Sequence, residues 1–212
     1  MNKREIIKFI SSNRRIVVLL IIMFIIGIVS GTLCVKSLSD VQKTELINYL
    51  SNFFKVLSNS EDINKNEMFL QLLYDNIKIY GLLFIFGIFS FGIFLIPILV
   101  MLKGFILGFT IGFILDELYL MGLLFSTVVI FPQNILYIMG LILSSSIGMI
   151  TSYRKLQSKR KYALFTSHKR NFQQLIYYIV CILIGYVLTA IGCAFEAYVT
   201  PIFIIFFSNK LF

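Results

Sequence analysis

The chain has 212 residues, of which 58% are hydrophobic and only 14% are charged. A soluble domain keeps about a quarter of its residues charged to cover its surface, so this composition excludes an ordinary water-soluble protein. It predicts a single all-α integral membrane domain over residues 1–212, built as a polytopic transmembrane helix bundle. The three cysteines and one histidine indicate neither a disulfide framework nor a structural zinc site.

The positive charge is unevenly distributed. The formal net charge is +9, and five Lys or Arg lie within residues 1–15 while seven lie within 153–172. Short basic segments beside apolar runs remain on the cytoplasmic side of a membrane, so both segments are predicted to be inside. Nucleic-acid binding would need the basic residues on one soluble face, and we therefore predict no nucleic-acid partner.

The first apolar run, residues 16–34, is longer than the core of a signal peptide. It predicts an uncleaved first span that leads outward from a cytoplasmic N-terminus. Residues 36–78 then have ordinary soluble composition and predict an external loop with two short amphipathic helices. Phe53, Phe54 and Leu57 in this loop are candidates either for covering lipid and neighbouring helices or for binding a partner.

Two further spans are predicted on either side of Lys103. Residues 79–102 would form the second span, with Lys103 in a cytoplasmic turn, and 104 to about 120 would form a short third span. Asp116 and Glu117 would then lie near the outer surface.

The remaining apolar sequence predicts two more spans. Residues 130 to 151 would lead back inside, and residues 175–195 would lead out. If residues 104–120 were a re-entrant loop instead, the basic loop 153–172 would be external, which the charge rule disfavours. We therefore predict about five spans, with the N-terminus inside and the C-terminus outside.

Small residues recur four residues apart in three of these spans. Since lipid is as apolar as leucine, helices in a membrane associate by close backbone approach, which small residues permit. We predict helix packing at these positions, with hinge flexibility as the alternative use of glycine. The residues are Gly27, Gly31, Gly104, Gly108, Gly112, Gly140, Ser144 and Gly148.

A polar interruption divides the long apolar stretch before residue 151. Pro132, Gln133 and Asn134 place a fixed φ and two amide side chains there. Proline is tolerated in the first turn of a helix, so Pro132 is predicted to begin one, and the amides would satisfy freed backbone groups. The alternative is a substrate-coordinating broken helix of a transporter, although no internal repeat supplies a second one.

Catalytic chemistry is not indicated. No acidic or basic residue and no histidine falls inside a predicted span, which is where pumps and intramembrane enzymes carry functional charge. His168, Cys34, Cys181 and Cys193 lack the neighbours that nucleophilic or metal chemistry requires. The sequence predicts a protein that is not an enzyme, with no cofactor and no metal site.

The order of these features resembles the stage II sporulation protein M family over essentially the whole chain. The most specific parts are residues 132–134, which open a helix, and the segment from Glu196 to Pro201. Wider relatives of that family tend to have Pro-His-Gly and then an acidic residue, at the positions of Pro132, Gln133, Asn134 and Tyr137 here. This chain lacks the histidine and the acid, which argues against catalysis or metal binding by the motif and favours the sporulation branch.

The resemblance implies a multi-pass protein of the septal membrane in endospore-forming bacteria that acts in engulfment. It would be a membrane scaffold for two peptidoglycan-degrading partners, sporulation proteins D and P, and the lipid bilayer would be its other contact. Candidate partner surfaces are the loop 36–78, the turn at Asp116 and Glu117, and the tail that contains Glu196 and Pro201. A transporter or permease-like subunit is the alternative function, and the sequence predicts no oligomeric state.

Overall fold

The structure, a computed structural model, describes residues 14–59, 64–161 and 168–204. These residues are almost entirely helical and contain no β-strand, so the prediction of an all-α fold is confirmed. The elements are α1 (Arg14–Lys36), α2 (Asp40–Asn59), α3 (Lys65–Ile88), α4 (Gly92–Phe125), the π-helical segment Ser126–Ile130, α5 (Phe131–Lys161) and α6 (His168–Tyr198).

Four helical stretches are long and apolar enough to cross a membrane. They are Arg14–Lys36, Lys65–Ile88, Gly92–Gln157 and Ile176–Ile204. The third holds 66 residues, whereas about 20 residues are enough to span a bilayer. Its backbone turns at Tyr119, where φ is 47° and ψ is −123°, values that are not helical. Gly122 then packs against the carbonyl of Ile114, a contact that a straight helix does not allow, so the chain folds back sharply at Tyr119.

The helix boundaries between residues 60 and 110 differ from the sequence prediction. One continuous helix, α3, begins at Lys65, so residues 65–78 are its first turns and not a second short external helix. The turn that follows lies at residues 89–91, and Lys103 lies well inside α4. The prediction was wrong because a charge interrupts an apolar run without interrupting helical hydrogen bonds. In α3, for example, Lys78 pairs with Asp75 at 2.8 Å, one turn away on the same helix.

Side chains of α5 satisfy the turn between α3 and α4. Ser152 Oγ donates a hydrogen bond to the carbonyl of Phe89 at 2.6 Å, and Lys155 Nζ donates to that of Ile88 at 2.8 Å. The last carbonyls of a helix have no partner within it, and a lysine there also complements the helix dipole. The basic segment 153–172 is largely helical, since α5 extends to Lys161 and α6 begins at His168.

The glycines of α1 and α4 lie where the two helices touch. Phe24 contacts Gly104, Ile28 contacts Gly108 and Thr32 contacts Gly112, so both helices advance by one turn between contacts and run parallel. In return, Gly27 and Gly31 contact the backbone of α4. A Cβ atom at Gly27, Gly31, Gly104 or Gly108 would collide with a backbone carbonyl of the other helix. At Gly112 it would meet Thr32 at about 3.1 Å.

The small residues of α5 face α6 and α3. Gly140 packs against the carbonyl of Gly185, and Ser144 packs against Gly185 itself. A Cβ atom at Gly148 would lie 3.3 Å from the hydroxyl of Tyr178, which itself donates to the carbonyl of Leu83 at 2.5 Å. All eight small residues predicted to pack therefore lie in contacts between helices.

The contact between α1 and α4 leads to a prediction about Gly108. We expect Gly108→Ala to destabilise the folded protein by about 1–3 kcal/mol, since the new methyl group would displace the Ile28 carbonyl. Gly81→Ala is the matched control, because nothing lies within 4 Å of a Cβ atom there. Thermal unfolding of both variants in one detergent measures the difference. Equal midpoints would mean that the observed contact does not limit helix approach.

Candidate functional site

A cavity of about 470 Å³ lies among α3, α4, α5 and α6, with walls of mixed polarity. This volume is within the range of small-molecule sites. Most of the lining side chains are apolar, so the polar ones form a distinct group. The polar and charged lining residues include Asp75, Lys103, Gln133, Tyr137, Glu196 and Thr200.

Lys103 places a positive charge at the depth of the membrane. It lies roughly three turns after the first residue of α4, inside the candidate span Gly92–Gln157, and its side chain is partly buried. Among the described residues, ion pairs of 4.0 Å or less join Lys43 to Asp116 and Lys78 to Asp75, and none joins Lys103 to a carboxylate. Ionisable groups within spans are costly and mark functional sites by default.

Glu196 places a negative charge on another wall of the cavity. It lies near the end of α6, within the candidate span Ile176–Ile204, and is partly buried. Tyr137 on α5 donates a hydrogen bond from its hydroxyl to Glu196 Oε2 at 2.6 Å. The sequence placed Lys103 in a turn and Glu196 just after the last span, whereas the structure places both in the lining of one cavity.

The amide side chains after Pro132 join this group. Gln133 is 6% exposed and accepts a hydrogen bond from Thr200 Oγ1 at 2.7 Å. Asn134 Nδ2 donates to the carbonyl of Ile130 at 2.8 Å, at the end of the π-helical segment. Asn134 therefore adds a side-chain donor to the backbone where the π-helical segment meets α5. Pro132 lies in the first turn of α5.

Two hydrogen bonds connect the two segments that carry the family resemblance. Gln133 with Thr200, and Tyr137 with Glu196, join residues 67 and 59 positions apart in sequence. The chain matches the family described as Stage II sporulation protein M over residues 20–201. It belongs to that family. No match to a curated protein or to a solved structure was found.

Membership of the stage II sporulation protein M family, together with four apolar helices, identifies a membrane protein involved in sporulation.

The polar cavity is the site that the sequence interpretation missed, because Lys103 was assigned to a turn. The signal that could have found it is span length. Residues 104–120 form a short segment for crossing a bilayer. A turn at 89–91 instead leaves α3 and α4 each long enough to span it.

The other residues singled out by the sequence do not line the cavity or lie outside the described residues. The side chains of Phe53, Phe54, Leu57 and His168 are outside the described part of the structure. Of the cysteines, Cys34 is partly exposed, Cys181 is buried, and Cys193 accepts a hydrogen bond from Asn76 Nδ2 at 3.4 Å.

The segment after α6 packs against the other helices. Pro201 is buried, and Ile204 packs against Ile114 and Phe125, so the described part of the tail belongs to the bundle.

The described residues contain no group of three or more His, Cys, Asp or Glu side chains that could hold a metal ion. The absence of a cofactor and of catalysis stays a prediction.

The hydrogen bond between Tyr137 and Glu196 leads to a prediction. We expect Tyr137→Phe to lower the stability of the protein by about 1–3 kcal/mol, because a partly buried carboxylate loses its donor. Tyr198→Phe is the control, since it removes an exposed hydroxyl that donates to Asn66 at 2.7 Å. Thermal unfolding in detergent measures both. Equal small effects from the two variants would show that the Tyr137 hydrogen bond contributes nothing to stability.

Proposed function

We propose that this member of the family is a non-enzymatic scaffold that holds the peptidoglycan-degrading sporulation proteins D and P at the septal and engulfing membrane. Family membership supports the sporulation context. The observation that carries the proposal is helix α2, which is not among the candidate spans although it has 20 residues. A helix outside the bilayer is available to partners that act on the cell wall.

Helix α2 combines an attachment to the bundle with an exposed apolar surface. Lys43 Nζ lies 2.6 Å from Asp116 Oδ2, which ties α2 to α4. Val41 and Tyr49 are 69% and 73% exposed, respectively. Tyrosine is among the residues that most often anchor protein interfaces. We therefore assign partner binding to α2.

The attachment of α2 depends on the charge of Lys43. Its hydrogen bond with Asp116 raises the pKa of Lys43 above the usual value of 10.5. A raised lysine pKa means that the attraction is fully present below the unfolded value and is lost only as the pH rises through the folded one. At neutral pH the attachment is therefore intact, and salt weakens it because both groups are exposed.

We further propose five crossings with the N-terminus inside and α2 outside. The reversal at Tyr119 supports this count, because it divides the 66-residue stretch into two antiparallel parts. The parallel contact of α1 and α4 supports it as well, since both would lead outward. Arg154 and Lys155 at the far end of α5 would then be cytoplasmic.

Cysteine labelling tests this topology. In a chain with its three native cysteines replaced by serine, we expect Gln42→Cys to react with a membrane-impermeant thiol reagent in intact cells. Gln157→Cys should react only after permeabilisation, because it lies beside the basic end of α5. Labelling of Gln157→Cys in intact cells would contradict the proposed orientation.

Co-purification from sporulating cells tests the scaffold. Two double variants, Val41→Ser with Tyr49→Ser and Phe53→Ser with Phe54→Ser, should each lower recovery of proteins D and P several-fold without changing membrane insertion. The control is Tyr153→Ser with Leu156→Ser, which replaces exposed apolar residues at the opposite end of the bundle. Normal recovery of both partners with all four α2 positions changed would refute binding by this helix.

A second candidate, a transporter or permease-like subunit, is favoured by one specific observation. Lys103 and Glu196 are opposite charges within candidate spans, and both line the same cavity. Charged groups at such depth usually mark a pathway for an ion or a solute. The scaffold remains the first proposal because the family match supports its cellular context.

A further inference from the structure

The cavity separates two opposite charges that do not pair. Lys103 belongs to α4 and Glu196 to α6, and both line the cavity of about 470 Å³. No ion pair of 4.0 Å or less joins them. In a medium of low dielectric constant, opposite charges attract strongly, so an arrangement that keeps them apart leaves favourable energy unused. A ligand in the cavity that contacts both groups would gain this energy.

The other polar groups of the cavity already have partners. Tyr137 donates to Glu196 Oε2, and Thr200 donates to Gln133. Asp75 is paired with Lys78, so its charge is compensated locally. The ammonium of Lys103 is therefore the charge that lacks a direct partner among the described residues. The cavity as a whole is close to neutral, with a positive pole at Lys103 and a negative pole at Glu196.

We propose that this cavity binds a zwitterion, with its anionic group at Lys103 and its ammonium group towards Glu196. An anion alone would pair with Lys103 but would share the cavity with the carboxylate of Glu196. A cation alone would meet the reverse conflict with Lys103. A ligand that carries both charges satisfies both poles and brings no net charge into the membrane, where net charge is costly.

The apolar lining residues indicate the chemistry of the uncharged part of the ligand. Leu72, Ile106 and Leu107 are apolar lining residues, so the part of the ligand between or beyond its charges is apolar. Two sources provide this chemistry. One is a free amino acid or short peptide with an apolar side chain, and the other is a lipid with a zwitterionic headgroup that carries a primary ammonium group.

This inference goes beyond the scaffold role and does not rest on it. Recovery of wall hydrolases depends on α2, whereas ligand binding depends on Lys103 and Glu196, so each experiment can fail without the other. It would deepen the transporter alternative only if transport of the bound ligand were measured.

Thermal stabilisation of the purified full-length protein in detergent tests binding of a free solute. The probe is the dipeptide alanylleucine, compared with its N-acetyl derivative, which keeps only the anion, and its amide, which keeps only the cation. A ligand that binds only the folded state raises the unfolding midpoint. We expect a rise with the zwitterion and little or none with either derivative. An equal rise with all three would overturn the proposal.

Lipid binding is tested in bilayer discs of phosphatidylcholine that contain either phosphatidylethanolamine or phosphatidylglycerol. Native mass spectrometry of the protein released from the discs then measures which lipid is retained. Retention of phosphatidylethanolamine without a response to alanylleucine identifies a lipid headgroup as the ligand, and the opposite result identifies a free solute. A wild-type protein that responds to neither probe would overturn the proposal.

Two variants connect binding to the proposed charges. Lys103→Met and Glu196→Gln should each weaken binding of the active probe by about tenfold or more, the usual effect of losing a hydrogen bond to a charged group. Lys36→Met, which removes an exposed lysine at the end of α1, should bind like the wild type. The folded state of Lys103→Met can be verified directly, because removing an unpaired charge should raise its unfolding midpoint without ligand. Unchanged affinity in both variants would overturn the assignment.

Discussion

Backbone contact between α1 and α4 is the constraint on which the rest of the bundle depends. Glycines allow this contact from both sides, at Gly27 and Gly31 in α1 and at Gly104 and Gly108 in α4. Because lipid offers no hydrophobic drive for association, the contact holds the helices by dispersion and shape alone. It also orients Lys103. Gly104 faces α1, so the preceding residue is rotated by about 100° on the helix and lines the cavity.

On the opposite side of the cavity, hydrogen bonds are added to the glycine contacts between α5 and α6. On α5, Gln133 and Tyr137 are one turn apart, and their partners Thr200 and Glu196 are likewise one turn apart in the antiparallel direction. Hydrogen bonds between membrane helices contribute about 0.6–2 kcal/mol each. Two of them in succession set the register of these segments and keep a carboxylate at a defined position. The cavity thus lies between one pair of helices joined by close backbone contact and another joined by both close contact and side-chain hydrogen bonds.

Sequence patterns predicted the features that depend on local spacing. The helical class and the small residues at contacts follow from composition and periodicity, whereas the helical backbone runs through Pro132 without a break, directly from the π-helical segment. The position of Lys103 could not be predicted in this way, because a charge in an apolar run is ordinarily the end of a span. The arrangement of several helices is what shows that Lys103 lines a cavity. The π-helical segment and the reversal at Tyr119 have no periodic signal either.

The same helix carries the attachment of α2 and the charge in the cavity. Asp116 and Lys103 are 13 residues apart on α4 (116 − 103), which corresponds to roughly 20 Å along its axis. Communication between them would require α4 to have a second arrangement, since coupling needs an element with two states. The glycine contacts oppose this, because sliding α4 along α1 would force backbone carbonyls against each other. If a ligand binds in the cavity as proposed, it would act first on α3, α5 and α6, and the glycine contacts would limit its effect on the proposed partner surface of α2.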